Sequence, residues 1–506
     1  MDLQNRNKII TIREFEALLL QKNLLLSHPT DLTTPIASLT PRLASLQPGD
    51  GFLAYAGVHV DGHQAIPQAI KQGAGFLVGE KPAPTPCPIP YLQVRNARDA
   101  WAWWESLRNG HPQGSLTLLG VTGTNGKSSV VWMTRALLKL SKIPCLSIGT
   151  LGAFLGETHI KLTHTTPDPD VLFPLLEQAR RAGIQYVIME VSSHSIEQGK
   201  VGPLSFSAAA FTNFSRDHLD FHLTLEAYWN TKTRLFSELL QENGTAIVNS
   251  ALAARLLGYK ILGVHLYIYG PQTEDAQPTA QYATLLPSTG IQPEGTPLSF
   301  MYENKKWEGL IPFIGAHNQE NFLAALLITQ TCTQKLPPVA LWNQIPQIPG
   351  RLEKIHVPGS PLVLVDFAHK PGALAAVLRT ARTLTTQKLW VLFGCGGDRD
   401  PGKRPQMGAI AKDLADFVCL TSDNPRSEDP KAIIREIEEG LLPSTAYCIK
   451  ENRREAIAWI LAQASEPDVV VIAGKGDETV QIYGDEHRPF SDSQVVRECL
   501  QPKAIP

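Results

Sequence analysis

With 506 residues, 43% of them hydrophobic, the chain can hold about three domains, each with an ordinary core. Its 46 basic and 48 acidic residues leave a formal charge of -2, which excludes a general nucleic-acid or membrane-surface role and leaves charge to act locally. The 7 cysteines include no C-x-x-C pair and are odd in number, which excludes a disulfide framework and a zinc site and fits a reducing cytoplasm.

The N-terminus, Met1-Asp2-Leu3-Gln4-Asn5-Arg6, lacks a signal peptide's apolar core, and no run is long enough to span a membrane. A soluble cytoplasmic protein without membrane insertion is expected. A first unit, residues 1–113, carries strands at Phe52–Tyr55, Gly75–Val78 and Tyr91–Val94 and a helix over Ala65–Lys71. In the helix that follows, Trp101, Trp103 and Trp104 read as core. The turn His59-Val60-Asp61-Gly62-His63 reads as exposed. Nothing here has catalytic spacing, so this unit binds or supports.

The second unit, 114–349, opens on an apolar strand with Leu116, Leu118 and Leu119 that runs into Val121-Thr122-Gly123-Thr124-Asn125-Gly126-Lys127-Ser128-Ser129. Val130, Val131, Met133, Leu137, Leu138 and Leu140 then keep helical spacing. A strand, a small-residue loop and a helix start gather backbone N–H groups and a positive dipole end around one point, which suits phosphate. Lys127 adds charge toward the outer phosphates and Ser128 a hydroxyl for Mg2+, so the loop reads as an ATP site. Val121 stands where the strict phosphate-loop pattern has its first glycine. The strand Tyr186–Met189 ends in Glu190, at the sheet edge where Mg2+ would lie. The strand Ala208–Phe211 leads to Asp217-His218-Leu219-Asp220, in which His218 reads equally as a structural histidine and as a metal or phosphate contact. Tyr228–Phe236 reads as an amphipathic helix with Lys232 a solvated charge, and 251–307 as a β-rich insertion without assigned chemistry.

A linker with two prolines and a glycine, Ile345–Gly350, precedes a third unit, 350–506. Apolar runs at Leu362–Val365, Leu389–Phe393, Val418–Leu420 and Val469–Ile472 alternate with helices and end in small polar residues. This is a second doubly wound domain, whose binding edge carries Arg399, Asp423, Asn424, Arg426 and Glu478. Gly394, Gly396 and Gly397 hint at a dinucleotide fold, but Arg399 stands where the third glycine belongs, and NAD is rejected. Mixed acids and arginines suit a zwitterionic ligand.

The ordered set Gly123-Thr124-Asn125-Gly126-Lys127, Glu190-Val191-Ser192-Ser193-His194, Asp217-His218-Leu219-Asp220, His317-Asn318-Gln319-Glu320-Asn321, Gly350-Arg351-Leu352-Glu353 and Asp423-Asn424-Pro425-Arg426 resembles the Mur ligase family over almost the whole chain. It is most similar to the MurE-type branch, which adds the third amino acid of the peptidoglycan stem peptide. The resemblance implies an α/β fold of three domains: an N-terminal uridine-binding domain, a central P-loop parallel-sheet ATPase domain and a C-terminal doubly wound, Rossmann-like domain for the amino acid. It also implies an ADP-forming ligation in cytoplasmic peptidoglycan precursor synthesis. The carboxylate of UDP-N-acetylmuramoyl-L-alanyl-D-glutamate attacks the γ-phosphate of ATP, and the amine of meso-diaminopimelate then displaces phosphate from the acyl phosphate.

By the same resemblance, Lys127, Glu190, His218 and Lys232 form the catalytic set. Gly123, Thr124, Asn125, Gly126, Lys127, Ser128 and Ser129 hold ATP together with Asn318, Arg351, Asp366 and His369. Ser128, Glu190 and His218 surround Mg2+, and Lys232 falls where family members carry an N6-carboxylysine, a carbamate able to meet a second Mg2+. Thr40, Thr165, Thr166, Ser192, Gln198 and Lys200 fall to the nucleotide-peptide, and Arg399, Asp423, Asn424, Pro425, Arg426, Gly474 and Glu478 to the amino acid. In the family, Asp-Asn-Pro-Arg accompanies meso-diaminopimelate, whose distal carboxylate Arg426 would clamp. The partners implied are small molecules, with no nucleic acid, acting on a monomer.

The chain departs from the family pattern at Lys200, where an arginine is common, at Thr40-Pro41-Arg42 in place of Asp-Ser-Arg, at Asp477 in place of a histidine, and at Lys370-Pro371-Gly372 after His369. Rival readings are the same ligation with L-lysine and a folylpolyglutamate-synthase-like ligase, which lacks a domain ahead of the phosphate loop. A regulatory protein without catalysis would be expected to lose Lys127, Glu190 or Lys232.

Overall fold

Short apolar strands alternating with amphipathic helices can bury both faces of a sheet only by crossing over it, and parallel sheets result. The computed structural model describes residues 10–27, 35–57, 60–259, 261, 265–272, 279–288, 290–443 and 446–501. Contacts divide the chain into two units, Met1–Gln281 with Ala324–Leu336 and Tyr282–Leu323 with Pro337–Pro506.

In the first unit, a sheet of 5 strands runs in the order Leu25–Ser27, Tyr91–Val94, Phe76–Gly79, Gly51–Ala54 and Leu39–Thr40, antiparallel only at its first pair. The larger sheet places Cys145–Gly149, Tyr186–Glu190, Thr117–Thr122, Phe206–Phe211, Leu240–Asn249 and His265–Gly270 side by side and parallel. Val121, Glu190 and Phe211 therefore come to the same sheet edge, where the strands give way to the loops that follow them. The insertion expected to be β-rich opens instead with a helix, Ser250–Leu257, and continues in strands only after it.

The helix Ala97–Arg108 starts on Asn96, whose side chain accepts from the Asp99 N–H, and buries Trp101 and Trp104 against the first sheet, Trp104 edge-on to Phe15 at 5.2 Å. The turn read as exposed is so at Val60, 69% exposed, but the His63 side chain is only 8% exposed, bonded through Nδ1 to Asp61 at 2.7 Å, and its Nε2 accepts the N–H groups of Glu80 and Lys81 at 3.1 and 3.2 Å. His59 lies outside the described residues.

The same helix buries Glu105, 1% exposed, and desolvation, aided by Asp170 against Arg108 and Asn109, pushes its carboxyl up to about 7. The native state therefore holds a proton there that the unfolded chain releases near pH 4.5, and stability falls as pH rises from about 5 to 7. Glu105→Gln keeps the shape without the charge. It is expected to flatten that slope and to raise stability at pH 8 by on the order of 3 kcal/mol, read from urea unfolding at each pH.

The second unit centres on a sheet of 6 strands in the order Glu353–Ile355, Leu362–Asp366, Val469–Ala473, Leu389–Phe393, Phe417–Leu420 and Tyr447–Ile449. Only the first pair is antiparallel. The four runs expected from sequence are its centre. Helices Pro371–Arg382, Lys403–Leu414 and Pro430–Leu441 cover one face, and Arg453–Gln463 with Asp492–Leu500 the other. The segment Ile345–Gly350 is packed rather than loose, with Ile345 and Ile348 buried.

Candidate active site

The phosphate loop leaves Thr117–Thr122 and enters the helix Lys127–Leu140 through Gly123 at φ 145° and Gly126 at φ 84°. Only glycine fits the first position, since a Cβ there would meet Thr212 Oγ1 at 1.9 Å. Residues after the strand Phe206–Phe211 pin the loop. Asn213 Oδ1 accepts from the Asn125 N–H at 2.8 Å, its Nδ2 donates to Asn125 O at 3.0 Å, and Thr212 Oγ1 donates to Asn125 O at 2.6 Å. Thr212 and Asn213 were legible only as a strand end; no motif marks them as loop supports.

Lys127 Nζ folds back to Gly123 O at 2.8 Å and Thr124 O at 3.0 Å. Lys232 comes to the same carbonyl, donating to Gly123 O at 2.8 Å from the helix Leu225–Ser237. The solvated-charge reading of Lys232 is overturned: it is 1% exposed. Burial, with Lys127 adding repulsion against the pull of Asp217, drives its amine well below the ordinary lysine range.

Glu190 closes its strand with 1% exposure, its Oε1 accepting from the Thr150 N–H at 2.7 Å and its Oε2 from Thr150 Oγ1 at 3.3 Å. Gly149 has no side chain because a Cβ would meet Glu190 Oε1 at 2.3 Å. Ser128 and Glu190 line one narrow cleft, and His218 lines a different cavity together with Lys127. Hard oxygen donors facing each other in a cleft fit Mg2+. Among the described residues no group of 3 or more His, Cys, Asp or Glu is set to hold a metal.

The neighbouring cavity, 480 Å3, collects five residues read as nucleotide-peptide contacts, Thr165, Thr166, Ser192, Gln198 and Lys200, against Lys127 and His218. Thr166 Oγ1 donates to Glu190 O at 2.9 Å and accepts from the Ser192 N–H at 3.2 Å, tying this wall to the Glu190 strand. Lys200 pairs with Asp168 at 2.7 Å. Thr40 is elsewhere, buried and bonded to Ser45 Oγ at 3.0 Å. Sequence reasoning missed Tyr55, Arg98, His164, Asp168, His194 and Ser195 in the lining and gave Trp101 only a packing role.

The loop around His218 is strained. His218 sits at φ 52° and Leu223, 80% exposed, at φ 65°, ψ -44°, inside a turn in which the Thr224 N–H donates to His222 O at 2.7 Å. The His218 ring stands edge-on to His194 at 4.9 Å and lies 3.6 Å from Asp217.

In the second unit, the loop after Phe417–Leu420 carries Asp423 and Asn424, both buried. Lys475, fully buried and given no role by the sequence, donates to Asn424 Oδ1 at 3.0 Å and Glu478 Oε2 at 2.8 Å and lies 3.8 Å from Asp423. Desolvation nevertheless raises the Asp423 carboxyl, with Arg453 and Lys475 opposing. Asn424 Nδ2 donates to Glu478 Oε2 at 2.8 Å, and Arg426, at φ 53°, donates through Nη1 to Gly397 O at 2.7 Å. The glycine cluster is explained here. A Cβ on Gly394 would meet Thr421 O at 2.2 Å, and one on Gly397 would meet Pro425 O at 1.9 Å, so these glycines admit the loop backbone. Gly474, at φ 113°, likewise faces Asp423. Arg399 is exposed nearby, its Cγ 3.8 Å from where a Cβ on Gly396 would stand.

Arg351, Asp366 and His369 gather around Phe367 in the same unit. Arg351 lies 4.5 Å over its ring and 3.6 Å from Asp477, and His369 Nδ1 is 2.9 Å from Phe367 O. Asp366 accepts the Leu352 and Ala368 N–H groups at 2.7 and 2.8 Å. Asn318 is buried, donating to Ile314 O at 2.9 Å and accepting from Asn321 at 3.1 Å.

The Mur ligase middle domain matches residues 121–329, the Mur ligase glutamate ligase domain 350–476, and the Mur ligase family catalytic domain 44–100. A UDP-N-acetylmuramoyl-L-alanyl-D-glutamate--2,6-diaminopimelate ligase of Chromobacterium violaceum is 38% identical over 480 residues, 93% of this chain and 95% of that one. One of Gloeobacter violaceus is 36% identical over 92% of this chain and 94% of its own. A solved ligase of the same name is 28% identical with a TM-score of 0.66, covering 97% and 99% of the two chains. A Mycobacterium tuberculosis folylpolyglutamate synthase shares the fold at 18% identity and TM-score 0.58, over 74% of this chain and 91% of its own. With three domain matches in order and a relative 38% identical along nine-tenths of both chains, this chain belongs to the Mur ligase family.

Proposed function

We propose that this chain is the ATP-dependent ligase that joins meso-diaminopimelate to UDP-N-acetylmuramoyl-L-alanyl-D-glutamate, acting as a cytoplasmic monomer with domains 1–113, 114–349 and 350–506. The observation that carries the reading is the 480 Å3 cavity in which Thr165, Thr166, Ser192, Gln198 and Lys200 face Lys127 and His218. No described helix is long and apolar enough to cross a membrane.

Glycines 123 and 126 and the helix start present N–H groups to the ATP phosphates, and Lys127 exchanges its two carbonyl contacts for phosphate oxygens. Ser128 and Glu190 would hold one Mg2+ and a Lys232 carbamate would meet a second, and these cations would offset the repulsion between a carboxylate nucleophile and the nucleotide. The depressed Lys232 amine supports this. A neutral amine adds to CO2 and releases one proton to give the carbamate, whereas an ammonium has no lone pair to do so. The substrate carboxylate attacks the γ-phosphorus and ADP leaves. The amine then attacks the acyl carbon, loses a proton, and phosphate departs.

At the amino-acid edge, Asp423 and Glu478 receive ammonium, and Arg426 keeps donors beyond its Gly397 bond for a distal carboxylate. Phosphate release with ATP, Mg2+ and the nucleotide-peptide is expected with meso-diaminopimelate and not with L-lysine. Arg426→Ala should cut the preference for diaminopimelate about ten- to a hundredfold, the worth of one charge-assisted bond. Turnover of L-lysine by the unaltered protein would overturn the selector and keep the reaction; no turnover with either would overturn the reading.

A further inference from the structure

Of the cations lining the 480 Å3 cavity, Lys200 is paired with Asp168 at 2.7 Å, and Lys127 is held by carbonyls of its own loop. Arg98 differs. Among the described residues its guanidinium has no carboxylate and no hydrogen-bond partner, and it rests 4.0 Å over the ring of Tyr55, which lines the cavity with it.

This is a poor position for a purely structural arginine. Arg98 falls in the first turn of Ala97–Arg108, where a positive charge opposes the helix dipole, and Asp99 of the same turn makes no ion pair with it. The Tyr55 ring fixes the flat guanidinium while leaving its N–H edge unused. That edge faces the cavity lining it shares with Tyr55 and is free to take an anion that enters.

The ligase reading, on which this inference rests, says which anion. The reacting carboxylate must lie at the phosphate loop, beside Lys127 and His218. Arg98, Tyr55 and Trp101 come instead from the segment ahead of that loop, so the substrate must run toward them with its other end. That end carries the diphosphate. We propose that Arg98, seated on Tyr55, binds the diphosphate of the nucleotide-sugar, making Tyr55, Arg98 and Trp101 the nucleotide end of the cavity.

The test is calorimetric binding of UDP, uridine and L-alanyl-D-glutamate to the full chain, its Arg98→Gln and Arg98→Lys variants, and Tyr55→Leu, with thermal unfolding and the KM for ATP as controls on the fold. Arg98→Gln should weaken UDP at least tenfold and leave uridine unchanged, with Arg98→Lys and Tyr55→Leu intermediate. In turnover, KM for the nucleotide-peptide should rise on the order of ten- to a hundredfold while KM for ATP holds. Equal UDP affinity in Arg98→Gln overturns the assignment, as does a loss confined to the dipeptide, which would give Arg98 a peptide carboxylate instead. An unaltered protein that binds no UDP and turns over no nucleotide-peptide would instead overturn the ligase reading itself.

Discussion

Lys232→Ala is expected to abolish ligation with no rescue by bicarbonate, and Lys232→Met, which fills the same volume without the amine, should be equally inactive while folding normally. The amine is enclosed at 1% exposure against Gly123 O and Thr122 Oγ1, with the Tyr228 ring 4.7 Å away. A charged ammonium so buried, with Lys127 donating to the same carbonyl, would cost several kcal/mol, which is why the neutral form is favoured. If that amine is carboxylated, the unaltered protein should lose activity when CO2 is stripped and regain it with bicarbonate, and labelled bicarbonate should give a carbamate signal that neither variant shows. Full activity in Lys232→Met would remove the carbamate, and activity insensitive to CO2 would do the same.

Lys232 also shows where reading from the chain stops. The phosphate loop, its flanking elements and the strand ends at Glu190 and Asp423 are local patterns, and local patterns fixed them. Whether a helical lysine is wet depends on what lies over it. Here the cover is the phosphate loop, whose Gly123 carbonyl takes the amine more than a hundred residues away in sequence. The glycines at 394, 396 and 397 fail in the opposite way. Their spacing invites a ligand motif, yet two of them make room for the backbone at Thr421 and Pro425. Lys475 and Arg98 carry no spacing signal. One is fully buried among Asn424, Glu478 and Asp423, and the other is singled out by having, among the described residues, only the Tyr55 ring against it and no carboxylate, in a cavity whose walls come from distant segments. Glycine near a strand end reports crowding, and the crowding partner is what sequence cannot supply.

Asp492→Ala is expected to cost about 3–5 kcal/mol, the largest stability loss predicted for the second unit, because it strands a buried guanidinium. Arg453 and Asp492 are both fully buried and paired twice, Nε to Oδ1 at 2.8 Å and Nη2 to Oδ2 at 2.7 Å. Such a pair is weak evidence for net stability, since apolar groups of similar size can serve as well. Its further bonds give it another use. Arg453 Nη2 donates to Ala473 O at 2.9 Å and Nη1 to Ser422 O at 3.4 Å, the residues immediately before Gly474 and Asp423. One buried arginine thus fixes two strand ends of the amino-acid edge. The double variant Arg453→Met with Asp492→Leu should therefore recover most of the lost stability in urea unfolding. It should not recover catalysis: KM for diaminopimelate should stay raised about tenfold or more while KM for ATP holds. Recovery of both would reduce the pair to packing, and failure to recover stability would mean that the two carbonyls, once unpaired, outweigh the desolvation that the apolar pair relieves.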